Sequence, residues 1–140
     1  MVVALSRWEA EAERWLRDAV EDLAVAEDLL KTLHYAASCF HSQQAAEKAL
    51  KSALYRKGVE ARSHSVYALL LRTGKTYNVQ VDSFEWQAKL LDKHYTPPRY
   101  PNLHPGIELA AYELYGKEDA EKCLEAARNV IDFVMKLSKS

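Results

Sequence analysis

Arg99 and His104 stand within Thr96-Pro97-Pro98-Arg99-Tyr100-Pro101-Asn102-Leu103-His104-Pro105-Gly106, the stretch that holds all four prolines of the chain. A guanidinium offers a planar fork of donors matched to phosphate oxygens, and an imidazole titrates near neutrality and can pass protons. Each proline fixes its own φ and biases the residue before it toward extended backbone. Thr96, Pro97, Tyr100 and His104 therefore have few conformations open to them. Tyr95, Tyr100 and Asn102 flank the pair and can stack on a base or bond its edge. These residue types point to an anionic guest, a phosphate carrying a base. They also fit a stiff crossover whose arginine bonds helix carbonyls and whose histidine is merely exposed, and the spacing R-x-x-x-x-H does not choose between the two.

Other chemistries find less support. A di-iron bundle needs Glu-x-x-His on facing helices, and no histidine here has a glutamate three residues before it; H-E-x-x-H is absent as well. Cys39 and Cys123 belong to no C-x-x-C pair and fall on apolar faces, so they read as inert core thiols in a reducing compartment. His34, His41 and His64 read as surface or cap residues. The four glycines are scattered singly, which excludes a glycine-rich phosphate loop, and no nucleophile elbow occurs. No metal and no cofactor are expected.

A net charge of −1 argues against a protein coated for nucleic acid. Its distribution says more: residues 1–31 carry −4, residues 32–106 carry +5 and residues 107–140 carry −2. The middle of the chain is thus the part able to face an anion, unless the helices neutralise one another on folding. Lys48 and Lys51 join the candidates for that anion, although helical phase alone does not orient them toward the proline stretch. The start becomes charged too soon for a signal peptide, and no stretch is apolar enough to span a bilayer, so a cytoplasmic protein without membrane contact is expected.

Helices must position these groups. Trp8, Ala12, Trp15, Ala19, Leu23, Ala26 and Leu30 recur at steps of three and four and predict a helix over about 6–32, with Ser6 as N-cap and Glu9 closing a capping box. Glu13 and Arg17 are spaced for an outer ion pair. A second helix over about 35–57, closed by Gly58, is rich in Ala, Ser and Cys and is expected at the centre of a bundle. Its Glu47 and Lys51 are spaced for a surface pair worth a few tenths of a kcal/mol. A short helix from Ser63 or Ser65 to Gly74 follows. A fourth, from Ser83 to about Tyr95, is signalled by Asp82 with Glu85 and turns Phe84, Ala88, Leu91 and Tyr95 inward. The last helix, 117–137, turns Ala120, Leu124, Ala127, Ile131 and Val134 inward. Nothing reads as a strand. The expectation is a single all-α domain over 1–140, an up-and-down bundle of four long helices plus one short helix.

Phe40-His41-Ser42-Gln43-Gln44-Ala45-Ala46-Glu47-Lys48-Ala49-Leu50-Lys51 resembles the core helix motif of the HEPN family, the nucleotide-binding domain of higher eukaryotes and prokaryotes. His64-Ser65-Val66, then Tyr95-Thr96-Pro97-Pro98-Arg99-Tyr100-Pro101, are similar to its next two signatures, and Asp119-Ala120 opens a similar last helix. The resemblance implies a five-helix bundle, commonly a homodimer, that binds nucleotide or RNA and is often encoded beside a minimal nucleotidyltransferase as a toxin–antitoxin-like pair. In superfamily ribonucleases an R-x(4–6)-H motif cleaves RNA without metal, which would give Arg99 the phosphate and His104 the proton transfer. The nucleases usually carry a polar residue after the arginine. Tyr100 stands there instead, as in an Arg-Tyr-Pro subgroup named for nucleotide binding, so the resemblance also implies an alternative, a non-catalytic nucleotide-binding or protein-interaction module.

Overall fold

The helix richest in small side chains is the one on which the others pack. The computed structural model describes residues 2–95, 99–100, 106 and 108–139, with side chains from Arg7 onward. Five helices follow in order: α1 Val2–Lys31, α2 Tyr35–Arg56, α3 Val66–Tyr77, α4 Glu85–Asp92 and α5 Lys117–Leu137, with single 3₁₀ turns at Asp82–Phe84 and Ala111–Leu114. Among the described residues there is no strand, and the all-α expectation holds. No helix of the described residues is long and apolar enough to cross a membrane.

Alanines set the distance between α1 and α2. Ala12, Ala19 and Ala26 of α1 and Ala45, Ala46 and Ala49 of α2 are all fully buried, and such small side chains let helix backbones approach closely. Two serine hydroxyls use that closeness: Ser38 Oγ donates to the Ala26 carbonyl and Ser52 Oγ to the Ala12 carbonyl, both at 2.8 Å. Buried hydroxyls that find carbonyls cost nothing in unmet hydrogen bonds. Leu50 and Leu54 then fill the centre with Leu70, Leu91 and Val130. Trp8 and Trp15 of α1 both stack on Tyr55, at ring distances of 5.9 and 5.7 Å. All five apolar positions expected inward on α5 are buried.

Local signals explain most boundaries. Gly58, at φ +74°, ends α2 in a Schellman arrangement in which its amide bonds the Tyr55 carbonyl and the Val59 amide bonds that of Leu54. The same pair of bonds ends α1, from Leu33 to Leu30 and from His34 to Leu29, but here a leucine holds the left-handed position, at φ +68°. Three expected boundaries differ. Helix α1 starts at Val2, so Ser6 lies inside it and does not cap it. Helix α3 runs through Gly74 to Tyr77 and is ended by left-handed Asn78. Gly74 serves another purpose, since a Cβ there would lie 3.1 Å from Val81 Cγ1 and 3.2 Å from the Val79 carbonyl oxygen. Helix α4 ends at Asp92, after a first turn that is 3₁₀, which leaves His94 and Tyr95 beyond it.

That early end is useful to α3. Ser65 is its N-cap, accepting from the Ala68 amide at 3.0 Å. From α4, Asp92 adds a carboxylate that accepts from the Val66 and Tyr67 amides at 2.6 and 3.2 Å and from Ser65 Oγ at 2.8 Å. A negative group at a helix N-terminus satisfies orphan donors and complements the helix dipole. The end of α4 is thereby tied to the start of α3.

Candidate functional site

Arg99 is exposed, and its guanidinium lies over three aromatic rings. Its central carbon is 4.5 Å from the Phe40 ring centre, 4.9 Å from Tyr95 and 5.2 Å from Tyr100. Cation–π attraction holds such a group flat on its rings. Its Nε donates to the Tyr95 carbonyl at 3.1 Å. Among the described residues, neither terminal nitrogen has a hydrogen-bond or carboxylate partner. A guanidinium fixed at its inner edge and open at its outer one can take two oxygens of one phosphate side by side. Tyr100, close to half exposed, offers a ring beside it.

From the platform a polar chain runs inward, from exposed His64 to buried Gln43, Glu47 and Lys51. His64 stacks on Tyr95 at 5.1 Å with the rings 13° from parallel, and its Nδ1 lies 3.3 Å from Glu47 Oε2. The same carboxylate oxygen accepts from Lys51 Nζ at 3.0 Å, while Oε1 accepts from Gln43 Nε2 at 3.2 Å. Gln43 also donates to the His64 carbonyl at 3.1 Å. Glu47 and Lys51 thus pair as their spacing predicts, but in the interior and not on the surface. The pair must be kept intact, because an uncompensated buried charge is costly.

The structure distributes the expected site residues unevenly. Tyr95, Arg99 and Tyr100 come together, and Phe40 and His64 join them. His104 and Asn102 lie outside the described residues. Lys51 is turned inward: its ammonium is engaged by Glu47 and lies 5.3 Å from the Trp15 ring centre, so it reaches the platform only through Glu47 and His64. Lys48 is engaged by Asp22 Oδ2 at 2.8 Å, and the other oxygen of Asp22 meets His41 Nδ1 at 3.0 Å. Burial raises the Asp22 carboxyl, yet the bonds from His41 and Lys48 outweigh it and leave the group below its ordinary value. His64 is exposed, as expected, and also meets Glu47 and Tyr95, while His41 is half-buried against Asp22. The signal for both was present, since each belongs to a stretch of α2 or the α3 cap rich in polar residues, but their partners are distant in sequence.

One further constellation was not foreseen. Cys39 of α2, Cys123 of α5 and His94 beyond α4 place one sulfur or nitrogen each within 4.8 Å of the others. Both thiols are fully buried, as core thiols should be. A hydrogen bond to Cys123 and burial push the Cys39 thiol up. Cys39 and His94 beside it draw the Cys123 thiol below the usual thiol range against its own burial. His94 Nδ1 lies 3.1 Å from Tyr115 Oη. A groove of about 520 Å³ lined by Glu13, Leu16, Arg17, Val20, Glu21 and Met135 shares no residue with the Arg99 platform.

Fold and site together define a helical bundle that presents an arginine on an aromatic platform between its fourth and fifth helices. A family model described as the HEPN domain matches residues 12–137, and the chain belongs to that family. It is 38% identical over 132 residues to the protein named "Putative toxin MJ1304" of Methanocaldococcus jannaschii, covering 88% of this chain and 85% of that one. Among solved structures, the Thermus thermophilus protein TT1696 superposes with a TM-score of 0.84 at 37% identity, over 91% of this chain and 98% of that one. The archaeal HEPN homologue ST0689 does so with a TM-score of 0.74 at 36% identity, over 90% and 96%. A HEPN domain protein of Thermotoga maritima gives 0.71 at 28% identity, over 90% and 98%.

Proposed function

We propose that this chain is a toxin-like HEPN protein that binds RNA through Arg99 and cleaves it without a metal ion, acting as a cytoplasmic homodimer beside a minimal nucleotidyltransferase. The observation that carries the reading is the Arg99 guanidinium, laid on Phe40, Tyr95 and Tyr100, with no partner for its terminal nitrogens among the described residues. The toxin name of the Methanocaldococcus relative supports the toxin-like part. In the proposed reaction a ribose 2′-hydroxyl attacks the neighbouring phosphorus and the 5′-oxygen leaves. The products are a 2′,3′-cyclic phosphate and a 5′-hydroxyl. Arg99 neutralises charge on the non-bridging oxygens, which is worth most in the transition state. His104 takes the 2′ proton or supplies the leaving oxygen with one. Two copies of the proline stretch facing each other across a dimer provide both transfers in one cleft. Tyr95 and Tyr100 stack on flanking bases.

Labelled single-stranded RNA incubated with the protein in EDTA tests this. Products ending in 2′,3′-cyclic phosphate are expected, with His104→Ala abolishing them and Arg99→Ala slowing them by about 10²–10³-fold. Cleavage unchanged in both variants sinks the reading. Tyr100, where the nucleases carry a polar residue, favours one second reading, a nucleotide-binding module without cleavage. In that case ATP or RNA binds the wild type, Arg99→Ala binds more weakly, and no cyclic phosphate forms.

A further inference from the structure

We propose that Cys39, His94 and Cys123 bind a single divalent cation of the zinc class and that this cation braces the Arg99 platform. The donors come from three separate parts of the chain, α2, the turn after α4, and α5, so their convergence is a property of the fold and not of one helix. Two sulfurs and an imidazole nitrogen are the soft and borderline donors that select zinc over magnesium or calcium. Tetrahedral bonds of about 2.3 Å to sulfur and 2.0 Å to nitrogen place the donors about 3.5–3.8 Å apart. The donor atoms here lie within 4.8 Å of one another, so closing onto a cation asks for movements of about 1 Å or less.

Charge and surroundings agree with that geometry. Zn²⁺ with two thiolates and a neutral imidazole carries no net charge, which allows the group to sit among fully buried side chains. Coordination sends both thiol protons to solvent. Asp119 of α5 lies close enough to act on both cysteines, and it is a carboxylate already held by the Gly116 amide at 2.8 Å. Tyr115 steadies the His94 ring, with the hydroxyl 3.1 Å from Nδ1 and the two rings edge to face at 5.4 Å. Bonds of that kind orient metal-binding histidines. His94 is half-buried, and a water would complete the fourth position of such a three-ligand site.

The consequence follows from sequence adjacency. Cys39 precedes Phe40 and His94 precedes Tyr95, the two rings nearest the Arg99 guanidinium. A cation held by Cys39 and His94 fixes the backbones that carry both rings and ties them to α5 through Cys123.

The test uses the full chain and needs no RNA, so it stands or falls apart from the cleavage reading. The reduced protein is dialysed with ZnCl₂, then against a weak chelator, and its metal content is measured. In parallel, Co²⁺ is added to the metal-free chain. Retention of about one Zn²⁺ per chain is expected, together with a thiolate-to-cobalt charge-transfer band and intense tetrahedral visible bands. His94→Gln, which empties no core position, is expected to keep its helical circular dichroism while losing about 100-fold or more in zinc affinity. Cys123→Ser is expected to reduce the thiolate band to half or less, since one of the two sulfurs is gone. Metal content far below stoichiometric, a six-coordinate cobalt spectrum without that band, or affinity unchanged in His94→Gln overturns the proposal.

Discussion

Glu47 shows how much a single side chain holds at this site. Its two oxygens meet Gln43, Lys51 and His64, and it lies almost wholly out of solvent beside an equally buried Lys51. Removing one partner of a buried pair strands the other charge, a change that typically costs about 3–5 kcal/mol. Glu47→Gln is therefore expected to destabilise the fold by about 3 kcal/mol in urea unfolding, with Glu47→Gln/Lys51→Met regaining most of the loss. A single variant as stable as the wild type would show that Lys51 finds other compensation. The spacing of this pair was legible in the sequence because it repeats every helical turn. Its burial was not, because that depends on Trp15 and His64 from elsewhere in the chain. The same limit hid the meeting of Cys39, His94 and Cys123, which share no local period. It did not hide Arg99, whose proline neighbours and aromatic flanks are contiguous.

Helices were read well wherever their ends carried a local chemical signal. The 117–137 helix, the Gly58 stop and the Ser65 cap follow from residues that sit at the boundary itself. Gly74 misled, since a glycine marks either a left-handed stop or a close approach, and only the neighbouring Val79 and Val81 decide which. The turn between α1 and α2 is the reverse case, a left-handed stop without a glycine. Leu33 holds φ +68° with its side chain largely exposed, so its strain is offset by little burial. The left-handed region costs a leucine about 1–2 kcal/mol, and the greater freedom of an unfolded glycine returns about 0.5–1 kcal/mol of that. Leu33→Gly is thus expected to stabilise the chain by up to about 1 kcal/mol, seen as a higher urea midpoint at unchanged slope. A lower midpoint would mean that the exposed leucine makes a contact worth more than its strain.

For the molecule as a whole, packing ties the acidic first helix to the basic middle at one point and leaves most of the charge segregation in place. Acidic α1 meets the basic middle through Asp22, which engages Lys48 and His41 of α2, while Lys51 is met within α2 by Glu47. Glu47 belongs to the same segment as Lys51, so Asp22 is what offsets the excess of +5 in residues 32–106 from outside it, and Arg99 is one of the segment's exposed cations without a carboxylate partner among the described residues. The α1–α2 tie also sets an acid limit on stability. Asp22 has a folded value below its ordinary 3.8, because the bonds from His41 and Lys48 outweigh burial. A depressed carboxyl contributes its full stability above its unfolded value and loses it as pH falls through its folded one. Between those two values the unfolded chain binds more protons at this group, so stability must fall as acid is added. Urea unfolding followed from about pH 6 to about pH 2.5 is expected to show a decline that steepens below about pH 4, and Asp22→Asn is expected to flatten it while lowering stability at neutral pH. Identical acid slopes in the two proteins would assign the acid sensitivity to other carboxylates and leave the α1–α2 seam to its alanines and serines.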